Sequence, residues 1–147
     1  MRSYKNIMKK LILMGKSGAG KTTLTQALRG ENVTYKKTQY INYGDFLIDT
    51  PGEYAENRHL GAALALYAYE ADVVGLLISA DDQFSLFPPN ITCLVNREVI
   101  GIVTKKYKGN PDRAERWLRL SGCKTVFRVD SVTGDGVDDI LKHIGIC

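Results

Sequence analysis

Lys21 and Thr22 close the run Gly15-Lys16-Ser17-Gly18-Ala19-Gly20-Lys21-Thr22, which reads G-x-x-x-x-G-K-T. An ammonium and a hydroxyl beside three glycines at this spacing suit one chemistry, the holding of a polyphosphate. The glycines open backbone conformations closed to other residues and let the chain approach a ligand closely. Successive N–H groups then turn inward, and the positive end of a following helix adds to them, so an anion is favoured. Lys21 is placed to reach β- and γ-phosphates, and the Thr22 hydroxyl to ligate Mg2+. Lys16, Ser17, Ala19 and Thr23 belong to the same cradle or to the first helical turn behind it.

A second group of residues lies downstream, at Asp49-Thr50-Pro51-Gly52-Glu53. Asp49 ends the apolar run Phe46-Leu47-Ile48, where a carboxylate holds Mg2+, usually through water. The N–H of Gly52 would meet a γ-phosphate, since glycine permits close approach. Thr38 would complete the Mg2+ shell while that phosphate is present, and its loss would release the loop, which is a switch. A solvated loop threonine is the competing reading for Thr38. Glu53 would orient water or act as a base. It would also repel a γ-phosphate, and helix N-terminal electrostatics account for it equally well.

These groups need strands and helices to place them. Lys9 to Met14 reads as a buried strand, and Lys21 to Arg29 as a helix ended by Gly30. Tyr40 to Tyr43 and Phe46 to Asp49 read as two short strands across a Gly44-Asp45 turn, an antiparallel hairpin. Leu60, Leu64, Tyr67 and Ala71 follow helical spacing. Val73 to Ile78 and Val99 to Val103 are continuous apolar strands, as in a sheet covered on both faces. After Pro88-Pro89, any helix from Asn90 to Val95 is short. Asn110-Pro111-Asp112 is a helix start, with Ala114, Trp117, Leu118 and Ser121 on the inner face. Thr125 to Val129 is the last strand, and Val137, Ile140, Leu141 and Ile144 mark a final amphipathic helix. Strands alternating with helices predict an α/β sheet with helices on both sides.

The chain has 147 residues and a net charge of +4, which fits one domain and is too mild to argue for nucleic acid. Three cysteines, Cys93, Cys123 and Cys147, show no paired spacing, which suits a reducing cytoplasm and argues against a disulfide framework or zinc site. No run reaches membrane-spanning length. Residues 1–8 are expected to form a flexible N-terminal extension, and residues 9–147 a single nucleotide-binding domain.

The phosphate loop, Lys37-Thr38-Gln39 and Asp49-Thr50-Pro51-Gly52-Glu53-Tyr54 together resemble the EutP/PduV family. These are small Ras-like P-loop proteins linked to bacterial ethanolamine and propanediol microcompartments. The similarity runs from Lys9 to the last helix. It implies a Ras-like three-layer sandwich on a mostly parallel six-stranded sheet, order 2-3-1-4-5-6 with strand 2 antiparallel. It also implies a cytoplasmic bacterial protein at such compartments, with shell or enzyme proteins as partners. Nucleotide and Mg2+ would bind at Gly15 to Thr22, Thr38 and Asp49 to Gly52. Related GTPases place a water-orienting Gln where this chain has Glu53.

The base-reading positions depart from the G-protein pattern. Guanine recognition uses [N/T]-K-x-D, and this chain has Thr104-Lys105-Lys106-Tyr107. Thr104 and Lys105 fit, and the Lys105 stem would cover the base face. Tyr107 supplies no bidentate carboxylate. Asp130-Ser131-Val132-Thr133-Gly134 stands where relatives read S-A-x-x-G, with Ser131 and Val132 at the backbone contacts to the base and Asp130 as a substitute carboxylate. Weak base discrimination is therefore expected, with both GTP/GDP and ATP/ADP open. Three functions follow from these readings. The first is a slow Mg2+-dependent NTPase switch. The second is an acetate kinase-type phosphotransferase, permitted by the resemblance, with Arg113, Arg116 or Arg119 over the phosphate. The third is a non-catalytic scaffold.

Overall fold

β1 (Leu11–Met14) is buried along its whole length and lies mid-sheet, hydrogen-bonded to β2 (Leu47–Ile48) on one side and β3 (Val73–Ser79) on the other. The computed structural model describes residues 9–16, 18–30, 46–48, 64–65 and 68–145. Beyond β3 stand β4 (Glu98–Thr104) and β5 (Thr125–Arg128), giving the order β2-β1-β3-β4-β5. Registers run Leu11↔Leu47, Leu11↔Val73, Val73↔Glu98 and Ile100↔Thr125.

Every described pairing is parallel. Parallel neighbours need crossovers rather than tight turns, and helices supply several of them. The described sheet thus has five strands, not the six expected. The expected antiparallel strand at Tyr40 to Tyr43 lies outside the described residues. Without it, the expected order of the remaining strands is the order found. At its start β2 departs from expectation: Phe46 is a 3-10 residue, fully buried, and among the described residues of the expected strand only Leu47 and Ile48 join the ladder.

Side-chain alternation divides the core in two. Leu11, Leu13, Val73, Leu77, Ile100 and Ile102 face one layer, where Leu24 and Leu28 of α1 (Lys21–Arg29) meet Val137, Ile140 and Ile144 of α3 (Val137–His143) and its end. Ile12, Met14, Val74, Leu76, Ile78 and Val103 face the other. Leu64, Ala68, Ala71 and the Ala114 and Leu118 of α2 (Pro111–Leu120) cover that side. Two covered faces explain why β3 carries seven buried residues in a row.

The helix ends follow their local chemistry. Asn110 caps α2 by accepting from the Arg113 N–H at 3.0 Å, with Pro111 opening the helix and Asp112 in its first turn. Gly30 ends α1 in the left-handed region, its N–H returning to Ala27 O at 3.1 Å. The stretch after Pro88-Pro89 is a single 3-10 turn, Ile91–Leu94.

Candidate functional site

Strand order reverses at β1, and in open α/β sheets ligands bind at the carboxyl ends of the strands near such a point. The glycine-rich loop begins there. A Cβ on Gly15 would stand 3.0 Å from Leu77 Cβ and 3.2 Å from the Leu77 carbonyl, so glycine lets the chain leave β1 close against β3 where a side chain would press on it. Gly20 takes φ 96°, and its carbonyl accepts from the Leu24 N–H at 2.9 Å, the first helical bond of α1. Ala19 N–H closes a turn on Lys16 O at 3.0 Å.

The end of β4 holds this loop from outside. The buried Thr104 hydroxyl donates to Ala19 O at 2.5 Å, and Lys105 Nζ donates to Gly18 O at 3.2 Å. In a trans peptide the N–H lies opposite the preceding carbonyl. With Ala19 O turned to Thr104, the Gly20 N–H therefore faces away from β4, into the space before α1. α1 carries no acid in its first turn, which holds Lys21, Thr22 and Thr23. Its positive end is left for an anion from outside the helix.

A second brace comes from β3. Lys16 Nζ lies 3.3 Å from Asp82 Oδ1 and 4.4 Å from the centre of the Phe84 ring. Asp82 Oδ2 accepts from the Ser79 N–H at 3.0 Å, and Asp82 O accepts from Arg113 at 2.8 Å. Next to it, the Ser79 hydroxyl donates to Asp81. That bond holds the Asp81 carboxyl below its ordinary value, against burial and with help from Lys105.

Beside α1 opens a pocket of about 160 Å³, whose lining includes Gly20, Thr23, Thr104, Lys105, Ser131 and Val132, with Tyr107 and Asp130. Two loops form its walls. The Tyr107 hydroxyl donates to Asp135, and Lys106 Nζ pairs with the same carboxylate at 3.0 Å. These bonds lower the Asp135 carboxyl, that to Tyr107 first, and raise both the Tyr107 phenol and the Lys106 ammonium. Asp130 Oδ1 accepts from the Val132 N–H at 3.1 Å.

The structure thus gathers Gly15, Lys16, Gly18, Ala19, Gly20, Lys21, Thr22, Thr23, Thr104, Lys105, Ser131 and Val132 at one end of the sheet. Ser17, Thr38, Asp49, Gly52 and Glu53 lie outside the described residues. β2 runs parallel to β1, so its C-terminal end, which Asp49 follows in sequence, is the end where the phosphate loop stands.

The family described as "Ethanolamine utilisation - propanediol utilisation" matches residues 8–146. The chain belongs to the PduV–EutP family. Among relatives, the propanediol utilization protein PduV of Citrobacter freundii is 46% identical over 137 residues, 91% of each chain. The probable acetate kinase EutP of Escherichia coli (strain K12) is 34% identical over 142 residues, 93% of this chain and 89% of that one. Among solved structures, the FeoB G-domain from Methanococcus jannaschii superimposes with a TM-score of 0.65. It covers 95% of this chain and 96% of its own at 21% identity, a likeness of fold. This PduV–EutP chain therefore has the fold of the FeoB G-domain.

Asp81-Asp82 reads in the sequence mainly as a solvated loop that could border the site, and Asp82 braces the glycine-rich loop. The signal was positional: an acid just past the strand that neighbours β1. Asp135, one residue past Gly134, carried no such reading and is tied to Tyr107. Arg113 and Arg119 are bound within the protein, to Asp82 O and to Glu115 and Lys124 O. Among the described residues no group of three or more His, Cys, Asp or Glu could hold a metal ion, and no helix is long and apolar enough to cross a membrane.

Proposed function

We propose that this PduV–EutP family member binds a nucleoside di- or triphosphate with Mg2+ and hydrolyses the triphosphate slowly, as a switch. One observation supports this most: Thr104 and Lys105 hold the carbonyls of Ala19 and Gly18, leaving the Gly20 N–H and the acid-free start of α1 toward one space. Lys21 neutralises β- and γ-phosphate oxygens there. Thr22, Thr38 and Asp49 hold Mg2+, which when bound neutralises charge developing on the phosphates. Gly52 N–H meets the γ-phosphate and Glu53 orients the attacking water. Thr104, Lys105, Ser131 and Val132 face the base, GTP/GDP or ATP/ADP. Turnover is slow because Arg113 and Arg119 are engaged elsewhere and a partner must supply a further positive group. The setting is cytoplasmic, at a microcompartment whose shell or enzyme proteins are the partners.

Calorimetric titration with Mg2+ and GDP or ADP, with phosphate release from GTP and ATP, tests this. Lys21→Ala is expected to abolish both binding and release. Failure of the wild-type chain to retain any of these nucleotides would refute the proposal.

A second reading is supported by the name of the Escherichia coli relative, a probable acetate kinase. Under it, ATP and acetate yield acetyl phosphate. Hydroxamate detection separates the two, since the switch yields inorganic phosphate alone.

A further inference from the structure

Lys16 directly follows Gly15, yet its ammonium is engaged outside the glycine-rich loop. It stands 3.3 Å from Asp82 Oδ1 and 4.4 Å from the centre of the Phe84 ring. Little space is left beside the pair. A gap of about 10 Å³ remains, walled by Leu77, Ile78, Phe84, Leu86 and Phe87, and it admits one water at most. Either charge would be poorly hydrated there without the other.

Asp82 is itself fixed from two elements. Its Oδ2 accepts from the Ser79 N–H at 3.0 Å, and its own N–H donates to Ser79 O at 3.0 Å. Its carbonyl accepts from Arg113 of α2 at 2.8 Å. The Arg113 guanidinium in turn lies over the Trp117 ring, 5.1 Å from its centre. The carboxylate is therefore placed by β3 and α2 before any ligand arrives. The loop is tied at two points: Thr104 and Lys105 hold the carbonyls of Ala19 and Gly18, and Asp82 holds the Lys16 side chain.

A lysine in this loop has two uses. As a phosphate ligand it would keep its ammonium for the anion. As a tie it would give it to a carboxylate fixed by the scaffold, and the 3.3 Å contact is of that second kind. We propose that Asp82 is a positioning residue for nucleotide binding. Through Lys16 it fixes the start of the glycine-rich loop against β3, so that the loop's N–H groups are aligned before a polyphosphate enters. This rests on the nucleotide-binding reading and deepens it, since Lys16 serves the frame of the loop rather than the phosphate.

Charge alone would make the two partners act in opposite senses. Removing the Asp82 carboxylate takes a negative charge away from a polyphosphate and should tighten binding. Removing the Lys16 ammonium takes away a positive charge and should weaken it. Positioning makes both losses weaken binding.

The test is calorimetric titration of the full chain with Mg2+ and GDP or ADP. It compares wild type, Lys16→Met, Asp82→Asn and the double variant, at a temperature where melting curves show each to be folded. Asn keeps an acceptor for the Ser79 N–H, and Met keeps the stem against Phe84. Each single variant is expected to bind about tenfold more weakly, the size of one hydrogen bond to a charged group. The double variant should lose no more than about threefold beyond either single one, because the pair acts as a unit. Asp82→Asn binding as tightly as wild type or more tightly would overturn the inference, and so would losses that multiply in the double variant to about a hundredfold. If a single variant does not fold, the double variant decides, since it leaves no buried charge unpaired. It also keeps the net charge, so charge alone predicts unchanged affinity and positioning predicts about a tenfold loss. Wild-type affinity there would overturn the inference. Failure of the wild-type protein to retain either nucleotide is a different result, which refutes the nucleotide-binding reading and this inference with it.

Discussion

Lys16 lies inside the glycine-rich loop, but its ammonium reaches the end of β3 and pairs with Asp82. Both side chains are largely buried, at 21% and 11% exposure, so removing one partner leaves a poorly hydrated charge. Asp82→Ala also frees the Ser79 N–H. It should destabilise the nucleotide-free protein by about 1–3 kcal/mol. Lys16→Met, which keeps the stem against Phe84, should cost less, and chemical denaturation would rank the two. Equal costs would show that Asp82 acts through the pair alone and that the Ser79 N–H bond adds nothing. Cys123 gives a second expectation at this scale. Burial pushes its thiol from an ordinary 9.0 up to about 12, against a small opposing effect of Arg119. A raised folded-state value means that the contribution to stability is complete below pH 9 and is lost as pH rises from there through about 12. Iodoacetamide at pH 8 should label the exposed Cys93 and spare Cys123 until the protein unfolds. Mass spectrometry of the labelled peptides reads this directly, and prompt labelling of Cys123 in the native protein would contradict it.

At the level of elements, β4 and α2 show how closely the layers meet. A Cβ on Gly101 would stand 3.0 Å from Leu118 Cβ and 3.2 Å from Val126 Cγ2. Gly101→Val must push α2 off the sheet, and overpacking of this kind costs about 1–3 kcal/mol. The loss should appear in the thermal midpoint, and an unchanged midpoint would mean that α2 docks loosely. Local signals for these elements were strong in the chain itself. Asn110-Pro111-Asp112 marked the start of α2, Gly30 the end of α1, and the unbroken apolar run of β3 the two-sided sheet. Each rests on residues within a turn of one another. The pairing of Asp82 with Lys16 was not legible, because it depends on β3 lying beside β1, a pairing made across some sixty residues of chain. Ser131 was expected in a loop beside the base, and it stands in the lining of the pocket beside α1. The start of β2 was placed one residue early because Phe46, apolar enough for a strand, turns in a 3-10 conformation into the core.

Across the whole molecule, the candidate site joins pieces far apart in sequence. Thr104 and Lys105 at the end of β4 hold the loop after β1, and Lys106 N–H donates to Val129 O beside β5 at 3.1 Å. Ala19 and Thr104 are buried at this junction, and Ala19 belongs to the core cluster shared by α1 and α3. The site is therefore continuous with the core rather than hung on its surface. A ligand bound there should stabilise the global fold, because unfolding anywhere in that cluster disperses its binding groups. Mass action sets the size: ligand at a hundred times its Kd adds about 2.7 kcal/mol. For a domain of this length each kcal/mol moves the midpoint by about 2–4 °C, so Mg2+ with GDP should raise it by about 5–11 °C. Lys21→Ala should abolish the shift, and chelating Mg2+ should shrink it. Helix content and Trp117 fluorescence should report the same displaced midpoint, since Trp117 packs against the opposite core layer from α1. If the two signals separated, with only the α1 side responding, the layers would be unfolding independently and the bonds from β4 to the loop would not couple them.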